Sequence, residues 1–278
     1  MNIHMRFPEG KTKALTLSYD DNVDQDIRFI DILNAHGLKC TFNINSEGYS
    51  EEGTVYPEGN VHRRLTKDQA TKLYKDSGHE VAVHSCTHPF LEQLPTSVAA
   101  LEILNDRVAL EEQFGCIVRG MAYPFGTYSD EVVEVLKSCG IVYARTVKST
   151  EKFDIPTDWL RLPATCHHNN KRLMELAKEF AESTSKRAPK LFYLWGHTYE
   201  FESNNNWNVI EEFAEYIGNR DDIWYATNIE IYEYIEDYKR LIYSANGKLV
   251  KNPTARTLYL SADGKNYSIA SGETVKIG

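Results

Sequence analysis

The sequence predicts an α/β protein whose parallel strands close into a barrel, followed by a short antiparallel β extension. Three observations predict it. β-prone stretches alternate with helical periodicity six or seven times along most of the chain. From Leu241 this gives way to short alternating strands separated by Asn246-Gly247, Asp263-Gly264 and Ser271-Gly272 turns. Acids and histidines also sit at the ends of several of the earlier strands, where a parallel barrel gathers its functional groups.

Lys13 to Asp21 reads as a buried strand ending on two acids, and Gln25 to His36 as a helix stopped by Gly37. Leu38 to Ile44 is the next strand. Thr66-Lys67-Asp68-Gln69 has the form of a capping box opening a helix that runs to Asp76. Glu80 to Val83 then leads into the pair His84 and His88. Pro95 to Phe114 has a helical pattern (Val98, Leu101, Ile103, Leu104, Val108, Leu110), and Gly115 stops it. A strand over Ile117 to Tyr123 enters the tight loop Pro124-Phe125-Gly126. Ser129 caps a helix to Ser138, and Ile141 to Val147 is a strand. Phe153 to Asn170 is irregular. Lys171 to Ser183 and Asn208 to Ile217 are helical, Leu191 to Trp195 is a strand ending at Gly196-His197, and a short strand over Ile223 to Ala226 precedes a Tyr-rich helix. The expected division is a barrel over residues 1–240 and a β extension over 241–278 packed on it.

Charged residues make up 26% of the chain, net charge is −9, and no basic stripe is present, which argues against nucleic acid as a partner. No apolar run reaches the roughly eighteen residues of a membrane span. The polar stretch Met1 to Lys13 has no secretory core, so a cytoplasmic location is expected, or an extracytoplasmic one if a leader precedes it. Five scattered cysteines without a CxxC favour neither a thiol-metal site nor a disulfide framework. Oligomeric state is not legible.

The chemistry gathers around Glu80 to His88. Two histidines spaced i, i+4 suit a surface turn as well as a metal claw, so a third ligand must decide. The strand ends supply Asp20 and Asp21, His84 and His88, Tyr123-Pro124-Phe125, Arg145 and His197. Two imidazoles and one carboxylate leave a coordination position open for water, as catalytic zinc sites do. A spare aspartate and a spare histidine can then serve as base and acid.

Ser18-Tyr19-Asp20-Asp21, His84-Ser85-Cys86-Thr87-His88, Tyr123-Pro124-Phe125-Gly126, Asp158-Trp159 and Leu194-Trp195-Gly196-His197 stand in the order of the polysaccharide deacetylase family, carbohydrate esterase family four. The chain resembles that family from about Ala14 to Tyr238. The resemblance implies a distorted (β/α)7-type barrel and metal-dependent removal of N- or O-acetyl groups from glycans. It implies Asp21, His84 and His88 as metal ligands, Asp20 as base, His197 as acid, and Asp158 as the acid paired with His197. Trp159 would line the acetyl pocket, and Tyr123, Phe125, Trp195 and His168 are further candidates for its walls. Zinc is the expected ion, with cobalt, nickel or manganese as alternatives.

One position departs. The family arginine that orients the base falls on Ala122, and Arg161, close behind Asp158-Trp159, is the first candidate to replace it, ahead of Arg145 and Arg119. The substrate that the resemblance implies is an acetylated poly- or oligosaccharide. A small non-sugar amide and a catalytically silent, glycan-binding barrel are the alternatives.

Overall fold

The computed structural model describes residues 2–185 and 187–278. In chain order the elements are β1 (Ile3–Arg6), β2 (Lys13–Asp20), α1 (Asp26–Ala35), β3 (Cys40–Ile44), α2 (Lys67–Tyr74), β4 (Glu80–Val83), α3 (Thr96–Phe114), β5 (Gly120–Ala122), α4 (Asp130–Ser138) and β6 (Tyr143–Ser149). β7 (Leu162–Ala164), β8 (Cys166–His167), α5 (Leu173–Glu182), β9 (Lys190–His197), α6 (Tyr199–Ser203), α7 (Asn208–Ile217), β10 (Ile223–Tyr225) and α8 (Asn228–Lys239) follow. The last strands are β11 (Ile242–Tyr243), β12 (Leu249–Lys251), β13 (Leu258–Ala262), β14 (Lys265–Ile269) and β15 (Thr274–Lys276).

The parallel sheet runs β7-β6-β5-β4-β3-β2-β9-β8, with β10 pairing the first residues of β2. β7 lies on β6 and β8 lies on β9, and the two are consecutive in the chain. The segment 162–167 therefore closes the barrel. It falls within the stretch expected to be irregular, because each half is only two or three residues long and its periodicity is too short to read.

β2 is the central strand, buried along its whole length. Leu15, Leu17 and Tyr19 face the helices in a core with Phe29, Phe42 and Phe192. Thr16, Ser18 and Asp20 alternate onto the inner face, where Thr16 bonds Asn228 and Ser18 bonds Asn43. The alternation matters because register then aligns the working residues. Asp20 is paired with His197 on β9 and with Asn43 on β3, and Ala122 on β5 is paired with Arg145 on β6.

The barrel interior is polar and fully partnered around Glu80. Its carboxylate accepts from Tyr143 Oη (2.6 Å), Thr41 Oγ1 (2.7 Å) and the Ile229 amide (3.0 Å). Gly120 makes room for the Tyr143 ring, since a Cβ there would lie 2.0 Å from the hydroxyl. Below this layer the expected β extension is present. It forms two small antiparallel sheets, and one of them takes in the N-terminal strand β1, which sequence periodicity did not reveal. Phe7, Tyr234, Leu258, Leu260 and Ile269 share one apolar cluster with Tyr143, Tyr193 and Trp195 of the barrel, so the extension plugs its floor.

The capping box of Thr66 and Gln69 and the Ser129 cap form as read. On α3 the buried face is Ala99, Ile103, Asp106, Leu110 and Phe114. Val98, Leu101, Leu104 and Val108 are exposed, so only Ile103 and Leu110 of the expected stripe reach the core. No helix among the described residues is long and apolar enough to cross a membrane.

Burial lifts the Glu80 carboxyl from its ordinary 4.5 to about 7, its three hydrogen bonds notwithstanding. The folded chain thus holds this proton more tightly than the unfolded chain. The stabilisation is full below about pH 4.5 and is lost as pH rises through about 7, a loss of the order of 3 kcal/mol. Glu80→Gln mimics the protonated form and is expected to gain stability relative to wild type between pH 5 and 8 in denaturant titrations. A constant difference across that range would reject a titrating Glu80.

Candidate active site

At the C-terminal mouth of the barrel, Asp20 is a buried carboxylate. Asn43 Nδ2 donates to its Oδ1 at 2.7 Å, and the Arg145 guanidinium is in direct contact with Oδ2. His197 Nε2 and His84 Nε2 lie 3.7 and 3.8 Å from that same oxygen. Burial would raise this carboxyl, but Arg145, His84 and His197 outweigh it and hold Asp20 below the usual range. The arginine that orients Asp20 is therefore Arg145, not Arg161. Because Ala122 and Arg145 are register partners, the cation stands one strand to the side of Ala122 at the same height. Its guanidinium is centred 4.5 Å over the Trp195 ring, which is thus a buried platform for the arginine.

Asp21, His84 and His88 come together beside Asp20, with one potential ligand atom of each within 4.8 Å of the others. The His84 tautomer follows from its partner. Nδ1 lies 2.8 Å from the Ala122 carbonyl, which can only accept, so Nδ1 carries the proton and Nε2 is bare. Nε2 is buried and without a protein hydrogen-bond partner, 4.0 Å from Asp21 Oδ1. A bare buried nitrogen facing a carboxylate and a second imidazole fits a divalent cation. Burial also pushes His84 down to about 4, favouring the neutral ligand form.

These three residues sit on or beside strained turns. Asp21, Asn22, Ser85 and His88 all have positive φ (86°, 44°, 62° and 59°). The first turn is held by Arg64, whose Nη1 donates to the Asp21 carbonyl, Asn22 Oδ1 and Asn45 Oδ1 while Nη2 reaches Asp21 Oδ1. The second is held by buried Asp106 of α3, which accepts from the amides of His84 and Ser46. His62 lies 3.3 Å from Asp21 Oδ2. Burial opposes ionisation of Asp21, but His62, Arg64 and His84 keep it well below the usual carboxylate range. Arg64, His62 and Asp106 escaped the sequence reading because each belongs to a loop or helix distant in sequence from the motif it supports.

At His197 the structure places Glu200, three residues on, and not Asp158. Glu200 Oε1 lies 3.3 Å from His197 Nδ1, and Oε2 lies 2.9 Å from His168 Nε2 and 3.2 Å from His167 Nε2. Asp158 instead caps the Leu160 amide and pairs with Arg161 at 3.0 Å, and Arg161 also reaches Asp130. His168, expected at the substrate, is fully buried between Glu200 and Tyr19 Oη, which is 3.2 Å from its Nδ1. Gly196 is required there, since a Cβ would lie 2.0 Å from His168 Nδ1. Tyr123 is also buried, its hydroxyl donating to the Leu160 carbonyl, and Trp159 packs on Tyr232. Of the expected pocket walls, Phe125 is the one at the rim. It is half exposed, edge-on to His88 and stacked at 3.9 Å on Phe90.

Comparison with known proteins gives three results. The polysaccharide deacetylase family model matches residues 8–144, which include Asp20, Asp21, His84 and His88 but stop short of His197. The peptidoglycan-N-acetylglucosamine deacetylase PgdA of Listeria monocytogenes is 28% identical over 130 residues, 46% of this chain and 25% of that protein. The match thus spans about a quarter of the curated relative's length. Among solved structures, a putative polysaccharide deacetylase from Mycobacterium smegmatis superposes with a TM-score of 0.57 at 16% identity, covering 86% of this chain and 96% of that one. The Xyl-CE4 domain of a multidomain xylanase from the hindgut metagenome of Trinervitermes trinervoides gives 0.53 at 15% identity, over 81% and 92%. At those identities the superpositions establish the barrel fold.

Removing one member of a buried ion pair strands the other charge, at a typical cost of about 3–5 kcal/mol. Arg145→Leu is expected to lose that much at neutral pH and progressively less as acid protonates Asp20. An equal loss at every pH would show that the pairing is not the cause. Ala122→Arg in an Arg145→Ala background is expected to recover part of the stability by returning the cation to the neighbouring strand.

Proposed function

We propose, on the match of residues 8–144 to the polysaccharide deacetylase family model, that the chain is a divalent-metal-dependent hydrolase that removes the N-acetyl group from a sugar of a poly- or oligosaccharide. The observation that carries this reading is the convergence of Asp20, Asp21, His84, His88 and His197 at one end of the barrel. The substrate of the Listeria relative, as its name states, is peptidoglycan N-acetylglucosamine, which makes an N-acetylated hexosamine the first class to try.

Asp21, His84 and His88 would hold the cation, with zinc the first expectation for two imidazoles and one carboxylate. When bound, such an ion polarises an acetyl carbonyl and lowers the pKa of water. The chain's own residues supply the rest. Asp20, kept ionised by Arg145, takes a proton from the attacking water. The backbone N–H of Phe125, at the rim beside His88, serves as a donor to the developing oxyanion. His197 faces Asp20 through Nε2 and delivers a proton to the departing amine.

Acetate release from an acetylated chito-oligosaccharide by the metal-loaded chain tests the reading. Chelation is expected to abolish release and added Zn2+ to restore it. Asp20→Asn is expected to lower turnover by about 10²–10⁴-fold, the usual contribution of a general base. Acetate release that survives both chelation and Asp20→Asn would overturn the mechanism, and metal binding without release would point to a different amide.

A further inference from the structure

Glu200 has an imidazole nitrogen close to its carboxylate on three sides. It extends from α6 at the barrel mouth and is only partly exposed. Three imidazoles approach it, and Asn169 Nδ2 adds a contact at 3.4 Å.

The partners of the outer histidines decide where their protons are. The Asn169 amide donates to His167 Nδ1 at 3.1 Å, so that nitrogen is bare and Nε2 carries the hydrogen toward Glu200. His168 Nε2, 2.9 Å from the same carboxylate, likewise carries its hydrogen, so Nδ1 accepts from the Tyr19 hydroxyl. Both outer imidazoles thus turn Nε2 toward Oε2. Oε1 is left to face His197 Nδ1 alone. His167, His197 and Glu200 approach one another as a cation site would, but a cation there would have to displace the protons that face Glu200.

A carboxylate at Nδ1 can only accept. It therefore selects the tautomer with Nδ1–H, turns Nε2 toward Asp20, and stabilises the ring when Nε2 gains a proton. Burial opposes that proton, yet Glu200 and Asp20 together raise His197 above its ordinary value, while Glu200, with three histidines around it, is held well below the carboxylate range.

From this arrangement we infer that Glu200, anchored on its far side by His167 and by the His168–Tyr19 pair, is the positioning residue that makes His197 a general acid. The inference rests on the deacetylase reading. Its step is a proton transfer: as the C–N bond breaks, the electron pair goes to nitrogen and the Nε2 proton of His197 follows, while Glu200 keeps Nδ1–H in place and remains ionised. Glu200 touches no reacting atom.

Leaving-group dependence separates this role from a merely structural one. An amide needs a proton on its leaving nitrogen, whereas 4-nitrophenyl acetate expels a stable phenolate without one. In the metal-loaded full chain, Glu200→Gln is expected to lower kcat/KM for an N-acetylated chito-oligosaccharide by about 10²-fold or more. Turnover of 4-nitrophenyl acetate is expected to stay within a few-fold of wild type, with metal content unchanged. A double-mutant cycle supplies the second readout: with His197→Asn already present, Glu200→Gln is expected to cause almost no further loss on the amide. Equal losses on ester and amide, undiminished amide turnover, or additive losses in the cycle would each overturn the role of Glu200 while leaving the deacetylase reading in place. A wild-type chain that releases acetate from neither substrate would overturn both.

Discussion

Asp20 is a carboxylate with almost no access to water, and the upper half of the barrel is arranged to keep it charged. A lone buried carboxylate would take up a proton. Here the side chains of Arg145 on β6, Asn43 on β3, His197 on β9 and His84, just past the end of β4, converge on it. Each of those strands must hold its register for that to happen, because a one-residue slip would turn the side chain to the outer face. The ion pair thus couples strand pairing to the charge state of the site.

The same rule extends downward through the interior. Glu80, Tyr143, Thr41, Asn228 and Tyr193 form a bonded polar layer beneath Asp20. The apolar plug made by β1, α8 and the C-terminal strands shields that layer from below. The β extension therefore acts on the site from a distance: it excludes water from a stack of polar groups that would otherwise relax into it. Above, positive-φ turns at Asp21, Ser85 and His88 aim side chains that a regular strand would point elsewhere, and Arg64 and Asp106 hold those turns from outside the motifs.

Much of this was legible along the chain. Alternation of strand and helix, the turn dipeptides after Leu241 and the caps at Thr66 and Ser129 are local signals, and the structure contains them. The residues Asp20, Asp21, His84, His88 and His197 were legible too, since each lies at the end of a strand whose direction the parallel sheet dictates. What was not legible has a common cause. The closing segment 162–167 is too short to show periodicity, and the floor strand β1 becomes a strand only because β13 pairs with it. The exposed Val98–Val108 stripe on α3 shows that a helical period by itself does not say which face the core will take.

The chain by itself therefore determined the fold class, the extension and the cluster of acids and histidines, because these follow from short-range pattern and strand direction. Only the tertiary structure decided which partners complete the site. The family resemblance pointed to Asp158, and nearness to Asp158-Trp159 pointed to Arg161, yet those two satisfy each other across one turn, as i, i+3 neighbours readily do. Asp20 instead takes Arg145, placed by the register of β5 with β6, and His197 takes Glu200, placed by the short helix that follows β9. Contacts of this kind depend on where two strands stop against each other and on which carboxylate is left uncommitted, and neither is written at any single stretch of the chain.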